Sequence, residues 1–197
     1  MSIRTVKTTH ALIEAARVMF TRYGYERTTM TAIAREAKRG RRTLYVHFPS
    51  KEMLLRKVIE SELNKILDVL REIAGKDIPA DRKIMELVFG RLKNVRYTVF
   101  RNGSLRADFR RFYLTIDSIR RHYDKIEIEI IRGVLVEGRE QGLFHFGDAE
   151  VMAGIIHYSV KGLEVPYVRG LVTGDMNVRI IERHARQVIL RGLGMDV

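Results

Sequence analysis

The segment TTMTAIAREAKRGRRTLYVHFPSKEMLL, Thr28 to Leu55, predicts two short helices joined by a tight basic turn, followed by the start of a third helix. Thr28 or Thr29 is placed to cap the first helix, whose Ile33, Ala34 and Ala37 share one face. Lys38-Arg39-Gly40-Arg41-Arg42 then sets four cations around a glycine. The second helix turns Leu44 and Phe48 inward and leaves Thr43, Tyr45 and His47 to a partner. Pro49 stops it, and Ser50 caps the third helix. Two short helices across a turn, the second with cations at its N-terminus, form a helix-turn-helix, whose second helix enters the DNA major groove.

Charge supports this reading. The net charge is +12, and residues 1–56 carry 12 Lys and Arg against 4 Asp and Glu, while the rest of the chain holds 24 against 20. Such asymmetry implies a polyanion-binding module joined to a nearly neutral one. A hydrophobic content of 46% with 30% charge is an ordinary soluble balance. Cysteine is absent, which excludes disulfides and thiolate zinc sites and fits a reducing cytoplasm. Arg4, Lys7, Glu14 and Arg17 interrupt any signal-peptide core. No apolar run approaches the ~20 residues of a membrane helix, and Val151–Val160 contains His157 and Ser159. A soluble, cytoplasmic protein with no membrane partner is expected.

Working outward, Leu12, Ala15, Ala16, Met19 and Tyr23 repeat at helical spacing before Gly24. After Ser50 a long helix carries Leu55, Ile59, Leu63, Ile66, Leu70 and Ile73 to a stop at Gly75. A helix from Ala80 to about Phe100 turns Ile84, Leu87, Val88, Leu92, Val95 and Val99 inward. A short helix from Leu105 to Tyr113 follows. The next has an apolar stripe from Ile116 through Ile119, Tyr123, Ile126 and Ile130 to Val134, and a second of Ile128, Ile131 and Leu135. Two apolar C-terminal helices close the chain. The first carries Val151, Met152, Ile155, Ile156, Val160 and Leu163, and Pro166 should kink or end it. The second uses Val178, Ile181, Ala185 and Val188. No β pattern emerges, so the fold class is all-α.

Ala15-Ala16, Phe20, Gly24, Thr28-Thr29, Ile33-Ala34, Ala37, Thr43-Leu44-Tyr45, His47-Phe48, Ser50-Lys51-Glu52 and Leu54 occur in order and without a gap. At these positions the chain resembles the DNA-binding domain of the TetR family of bacterial transcriptional regulators, over residues about 8–56. It departs where the family has glycine at Lys38, a small residue at Arg42 and often serine at Gly40. Lysine in a left-handed turn costs ~1 kcal/mol, and Gly40 is the residue expected to absorb that strain by shifting the turn.

The resemblance implies a helix-turn-helix domain (1–52) followed by a larger helical effector-binding and dimerisation domain (53–197). Arg39, Arg41, Arg42, Thr43 and Tyr45 are the expected groove contacts, because arginine pairs bidentately with guanine. Thr29, Lys38, His47 and Lys51 are expected to hold phosphates, and Thr28 and Gly40 complete the expected DNA-binding residues. The implied partners are a palindromic double-stranded operator, a small-molecule effector and a second copy held by the two C-terminal helices. In that family the regulator is most often a repressor. Tyr97, Phe100, Phe109, Phe112, Tyr113, Tyr123, His157, Tyr158 and Lys161 fall where the effector pocket would be, although aromatics at helical spacing are more often core. For His157 the expected partner is a backbone carbonyl. His122, Asp124 and Glu127 read as a solvated charged face.

No phosphate-binding loop, nucleophile elbow or metal-ligand spacing occurs, so neither catalysis, a cofactor nor a metal is expected. Two rival readings remain. A non-specific architectural DNA binder would share the basic motif, and a small-molecule-binding or catalytic helical protein would carry it incidentally.

Overall fold

A computed structural model describes residues 3–101, 113–168 and 178–196. These hold eight helices and no strand: α1 Ile3–Tyr23, α2 Met30–Glu36, α3 Arg41–His47, α4 Lys51–Ala74, α5 Ala80–Arg101, α6 Tyr113–Glu140, α7 Ala149–Val168 and α8 Val178–Gly192. The helix expected over Leu105 to Tyr113 lies outside the described residues, apart from Tyr113, which opens α6. Two compact units divide the chain, one of Met1–Asn64 and Thr98–Arg120, the other of Lys65–Tyr97 and Arg121–Val197. The division falls inside α4.

In the first unit, α1 buries Leu12, Ala15 and Ala16 as expected, but Phe20 completes the face, while Met19 is half-buried and Tyr23, expected inward, is exposed. Gly24 ends the helix at φ 78°, a left-handed conformation that costs glycine nothing. Met30, Ile33 and Ala34 of α2, Leu44 of α3 with Phe48, and Leu54, Leu55, Val58 and Ile59 of α4 complete this core. Phe20 and Tyr25 meet with ring centroids 5.4 Å apart. Burial of whole aliphatic and aromatic side chains, worth ~1.5–3 kcal/mol each, holds the short α2 and α3, which are too short to persist alone.

The second unit buries Ile66, Leu67, Leu70 and Ile73 of α4 with Ile84, Leu87, Val88 and Leu92 of α5. Tyr123, Ile131, Val134 and Leu135 of α6 and Ala153, Ile156, Val160 and Tyr167 of α7 join them. The start of α5 is tied to the end of α6. Gln141 accepts from the Ala80 amide at 3.2 Å, and Lys83 donates to both oxygens of Glu137 at 2.8 Å. Pro166 does not end α7, which continues to Val168. Val188, expected inward on α8, is 74% exposed; Leu190 and Leu193 are buried instead.

Gly138 sits where α6 meets the fully buried Phe144. A Cβ there would lie 2.1 Å from Phe144 Cδ2 and 3.0 Å from the Ala80 Cβ. Alanine is the better helix former by ~1 kcal/mol, yet the overlap prevails because Phe144 has no room to swing away. Gly138→Ala is therefore expected to destabilise by about 1–3 kcal/mol, read as a lowered thermal midpoint.

Candidate nucleic-acid interface and a buried charge cluster

Thr29 caps α2, its Oγ1 accepting from the Ala32 amide at 3.1 Å with extended backbone at φ −105°. The helix ends at Ala37 with two bonds that wrap its C-terminus: Lys38 N–H donates to Arg35 O at 3.0 Å, and Arg39 N–H to Ala34 O at 2.9 Å. That pattern requires the first residue past the cap to be left-handed. Lys38 occupies it at φ 53°. Gly40, expected to take up the strain, is an ordinary extended N-cap at φ −65°, ψ 145°. Lys38→Gly should thus stabilise the fold by about 0.5–1 kcal/mol after the extra chain entropy of glycine is deducted, seen as a raised midpoint in urea.

From this turn Arg39, Arg41 and Arg42 project as exposed cations, and Arg41 lies 5.5 Å from the centroid of the exposed Tyr45 ring. Thr43 is half-buried beside them, while Leu44 is fully buried and fixes the opposite face of α3. Thr29 and Lys38 are exposed nearby. His47, half-buried, meets Thr9 of α1 with Nδ1 2.9 Å from Oγ1. The structure adds Val46, an apolar side chain 76% exposed on the same helix. Alternation with Tyr45 and His47 on so short a helix was the available signal for it.

Thr28 and Lys51 have internal work. Thr28 is buried, and its hydroxyl lies 2.7 Å from Gly24 O and 3.2 Å from Met19 O. The Lys51 ammonium donates to Tyr25 O at 2.9 Å and Thr28 O at 3.0 Å, with Glu26 O at 3.5 Å, and lies 4.2 Å from the Tyr25 ring centroid. These bonds tie the loop before α2 to the first turn of α4, which Ser50 caps through the Met53 amide at 3.1 Å.

A comparison of the sequence with protein-family models matches residues 12–58 to bacterial regulatory proteins of the tetR family. Residues 12–58 thus carry the sequence pattern of the TetR family's N-terminal region. The A-factor receptor protein of Streptomyces griseus is 35% identical over 63 residues, which are 32% of this chain and 23% of that protein. This chain thus spans about a quarter of that relative's length. Over nearly all of both chains the fold matches a transcriptional regulator from Cytophaga hutchinsonii, with a TM-score of 0.72, 24% identity and coverage of 93% and 97%. A tetR-family regulatory protein from Rhodococcus gives 0.60, 23%, 97% and 99%. The fold shared with these structures, a helix-turn-helix followed by a larger helical domain, therefore extends through the chain.

Beyond the helix-turn-helix, the residues expected at an effector pocket separate. Tyr97 is 63% and Tyr158 57% exposed, while Tyr123 and His157 are buried and Lys161 is half-buried. Phe109 and Phe112 lie outside the described residues, as do the side chains of Phe100 and Tyr113. His157 and Lys161 belong to a cluster that sequence periodicity did not assemble. Arg91 of α5 donates through Nε to Glu127 of α6 and through Nη1 to Glu164 of α7. His157 of α7 sets Nε2 3.2 Å from Asp124 Oδ1 and Nδ1 3.4 Å from Glu127 Oε2, and Lys161 donates to Asp124 Oδ2. Two expectations are corrected. His157 faces carboxylates and not a backbone carbonyl, and Asp124 and Glu127 are buried rather than solvated.

The cluster balances only with an imidazolium. A neutral His157 donating from Nε2 to Asp124 would aim the lone pair of Nδ1, which makes no hydrogen bond, at the Glu127 carboxylate. Burial alone would lower the His157 pKa, but Asp124 and then Glu127 outweigh it and raise it above the ordinary value. Burial pushes Asp124 and Glu127 up, and their partners pull both below the usual carboxylate range: His157 and Lys161 for Asp124, His157 and Arg91 for Glu127. A raised histidine pKa gives stability that is complete below the unfolded value of about 6.5 and disappears as pH rises through the folded one. The lowered carboxylates act oppositely, giving stability above about pH 4 that is lost on acidification. Chemical unfolding should therefore show stability falling as pH rises from about 6.5, with His157→Gln removing that decline.

Proposed function

We propose that the chain is a sequence-specific transcriptional regulator, a repressor in mode, that binds a palindromic operator as a homodimer and is released by a small-molecule effector. The observation that carries the reading is the α3 surface. A helix anchored by one fully buried leucine, with the turn before it, presents Arg39, Arg41, Arg42, Tyr45 and Val46 outward beside the half-buried Thr43, in a segment of TetR sequence. Arginines can donate twice to guanine, Val46 can pack on a thymine methyl, and Thr29, Lys38, His47 and the Gly40 amide can hold phosphates. Thr28 and Lys51, with their polar groups engaged internally, support that surface from behind.

Dimerisation is supported by the apolar face left on α7 by Val151, Ile155, Tyr158 and Leu163, exposed at helical spacing, with Ile180 and Val188 of α8. Effector control is supported by the receptor named among the relatives. The mechanism is a shift of α4, whose first turn supports the helix-turn-helix and whose last turns belong to the second unit. Two recognition helices displaced from one DNA turn, about 34–36 Å, cannot engage both half-sites.

Selection from random duplex DNA at near-physiological salt tests the reading. An enriched palindrome supports it and supplies the operator for effector screens. Retention without a motif leaves an architectural DNA binder, and no retention by folded protein overturns DNA recognition.

A further inference from the structure

The contact between α1 and α3 has a direction. Thr9 Oγ1 lies 2.9 Å from Thr5 O, which can only accept, and this geometry assigns the single hydroxyl proton to a bond within α1. The same oxygen lies 2.9 Å from His47 Nδ1. With the hydroxyl proton spent, Thr9 can only accept, and Nδ1 must be the N–H of the ring. In the neutral imidazole the proton is then absent from Nε2, which makes no hydrogen bond among the described residues.

A DNA phosphate oxygen only accepts hydrogen bonds, and a bare Nε2 only accepts as well. The two repel until Nε2 takes up a proton. We propose that His47 binds a DNA phosphate solely as an imidazolium, and that Thr9 is the positioning residue that imposes this by holding the tautomer. The proposal rests on α3 being the DNA-binding helix. Formation of each His47–phosphate contact takes one proton from solvent onto Nε2 and creates a charge-assisted N–H···O bond. DNA affinity is thereby linked to pH at the protein surface, with no change of fold.

The charged groups nearest this contact along the chain lie on α1, on α3 and at the start of α4. They are Lys7 and His10 on α1, Arg41 and Arg42 on α3, and Lys51 and Glu52 at the start of α4. None of them forms an ion pair with His47 among the described residues. A phosphate entering this cationic surface supplies the negative charge that draws the proton on.

The test measures binding of a labelled random-sequence duplex at fixed low salt between about pH 6 and pH 8. Unmodified protein should bind more tightly toward acid, by up to about tenfold per pH unit for each engaged protomer. His47→Gln keeps an N–H donor without titrating and should flatten the slope. Thr9→Val removes the acceptor, so the neutral ring can move its proton to Nε2. That variant should also flatten the slope and bind no worse than unmodified protein at the alkaline end. A purely structural role for Thr9 would weaken binding equally at every pH, and this outcome overturns the proposal. So does a slope unchanged in His47→Gln, or DNA binding by unmodified protein that ignores pH; either leaves the α3 interface standing. Failure of folded, unmodified protein to bind at any pH removes the DNA interface itself and the proposal with it. If Thr9→Val unfolds, His47→Gln decides alone, because its side chain is partly exposed.

Discussion

Arg91→Met is expected to lower the unfolding free energy by about 3–5 kcal/mol and the thermal midpoint by roughly 6–20 °C. Arg91 is the shared donor of Glu127 and Glu164, and all three side chains are buried. Methionine fills a similar volume, so the deficit is electrostatic. Two carboxylates are left in a poorly solvated site, with only the longer approach of Glu127 to His157 remaining. In unmodified protein Arg91 itself resists burial, which would lower its pKa, because Glu127 and then Glu164 raise it further. Without it the carboxylates favour their protonated forms, so the deficit should shrink as pH falls through the acidic range. Denaturant titrations of both proteins at neutral and acidic pH measure this. A triple substitution that also replaces Glu127 and Glu164 with leucine should recover most of the stability, since a well-packed apolar set can match a buried ion network. A small effect in Arg91→Met, constant across pH, would show that the cluster is not held by charge.

The same cluster shows where reading the sequence ends. Thr29, Leu44, Phe48 and Gly24 were legible because caps, inward positions and helix stops are set within one turn of chain. Arg91, Glu127 and Glu164 each occupy a place in an apolar stripe. Leu87 and Leu92 flank the first, Tyr123 and Ile131 the second, and Val160 and Tyr167 the third. A lone charge in a stripe reads as a solvated edge. Three charges on three helices become a core only when packing brings them together, and the alignment is long-range. Val188 gave the opposite error. Helical periodicity marks an apolar face without saying whether this chain or a second copy covers it. Thr28 and Lys51 make internal hydrogen bonds, those of Lys51 to a segment far away in the chain, which no local spacing announces.

Simultaneous replacement of Arg41 and Arg42 by alanine should weaken DNA binding about a hundredfold or more, since each well-placed arginine contributes ~1–3 kcal/mol. Both side chains are exposed, and α3 is anchored through the fully buried Leu44, which the substitution leaves alone. Stability should accordingly stay within about 0.5 kcal/mol of the unmodified protein, so weakened binding cannot be ascribed to unfolding. Arg41 lies against the Tyr45 ring, and its removal also frees that ring to move, which adds to the penalty. The dependence of affinity on salt then separates the two roles an arginine can play. If both read bases, affinity for a selected operator falls steeply while random duplex is bound much as before, and the slope of log affinity against log salt is kept. If both hold phosphates, affinity falls uniformly across sequences and the slope becomes shallower by nearly one for each phosphate no longer neutralised. A mixed result, with the slope shallower by about one and preference relaxed at a single base position, divides the roles, and the single variants then resolve them. Unchanged affinity in the double variant would remove α3 as the reading surface, whatever the family of its sequence.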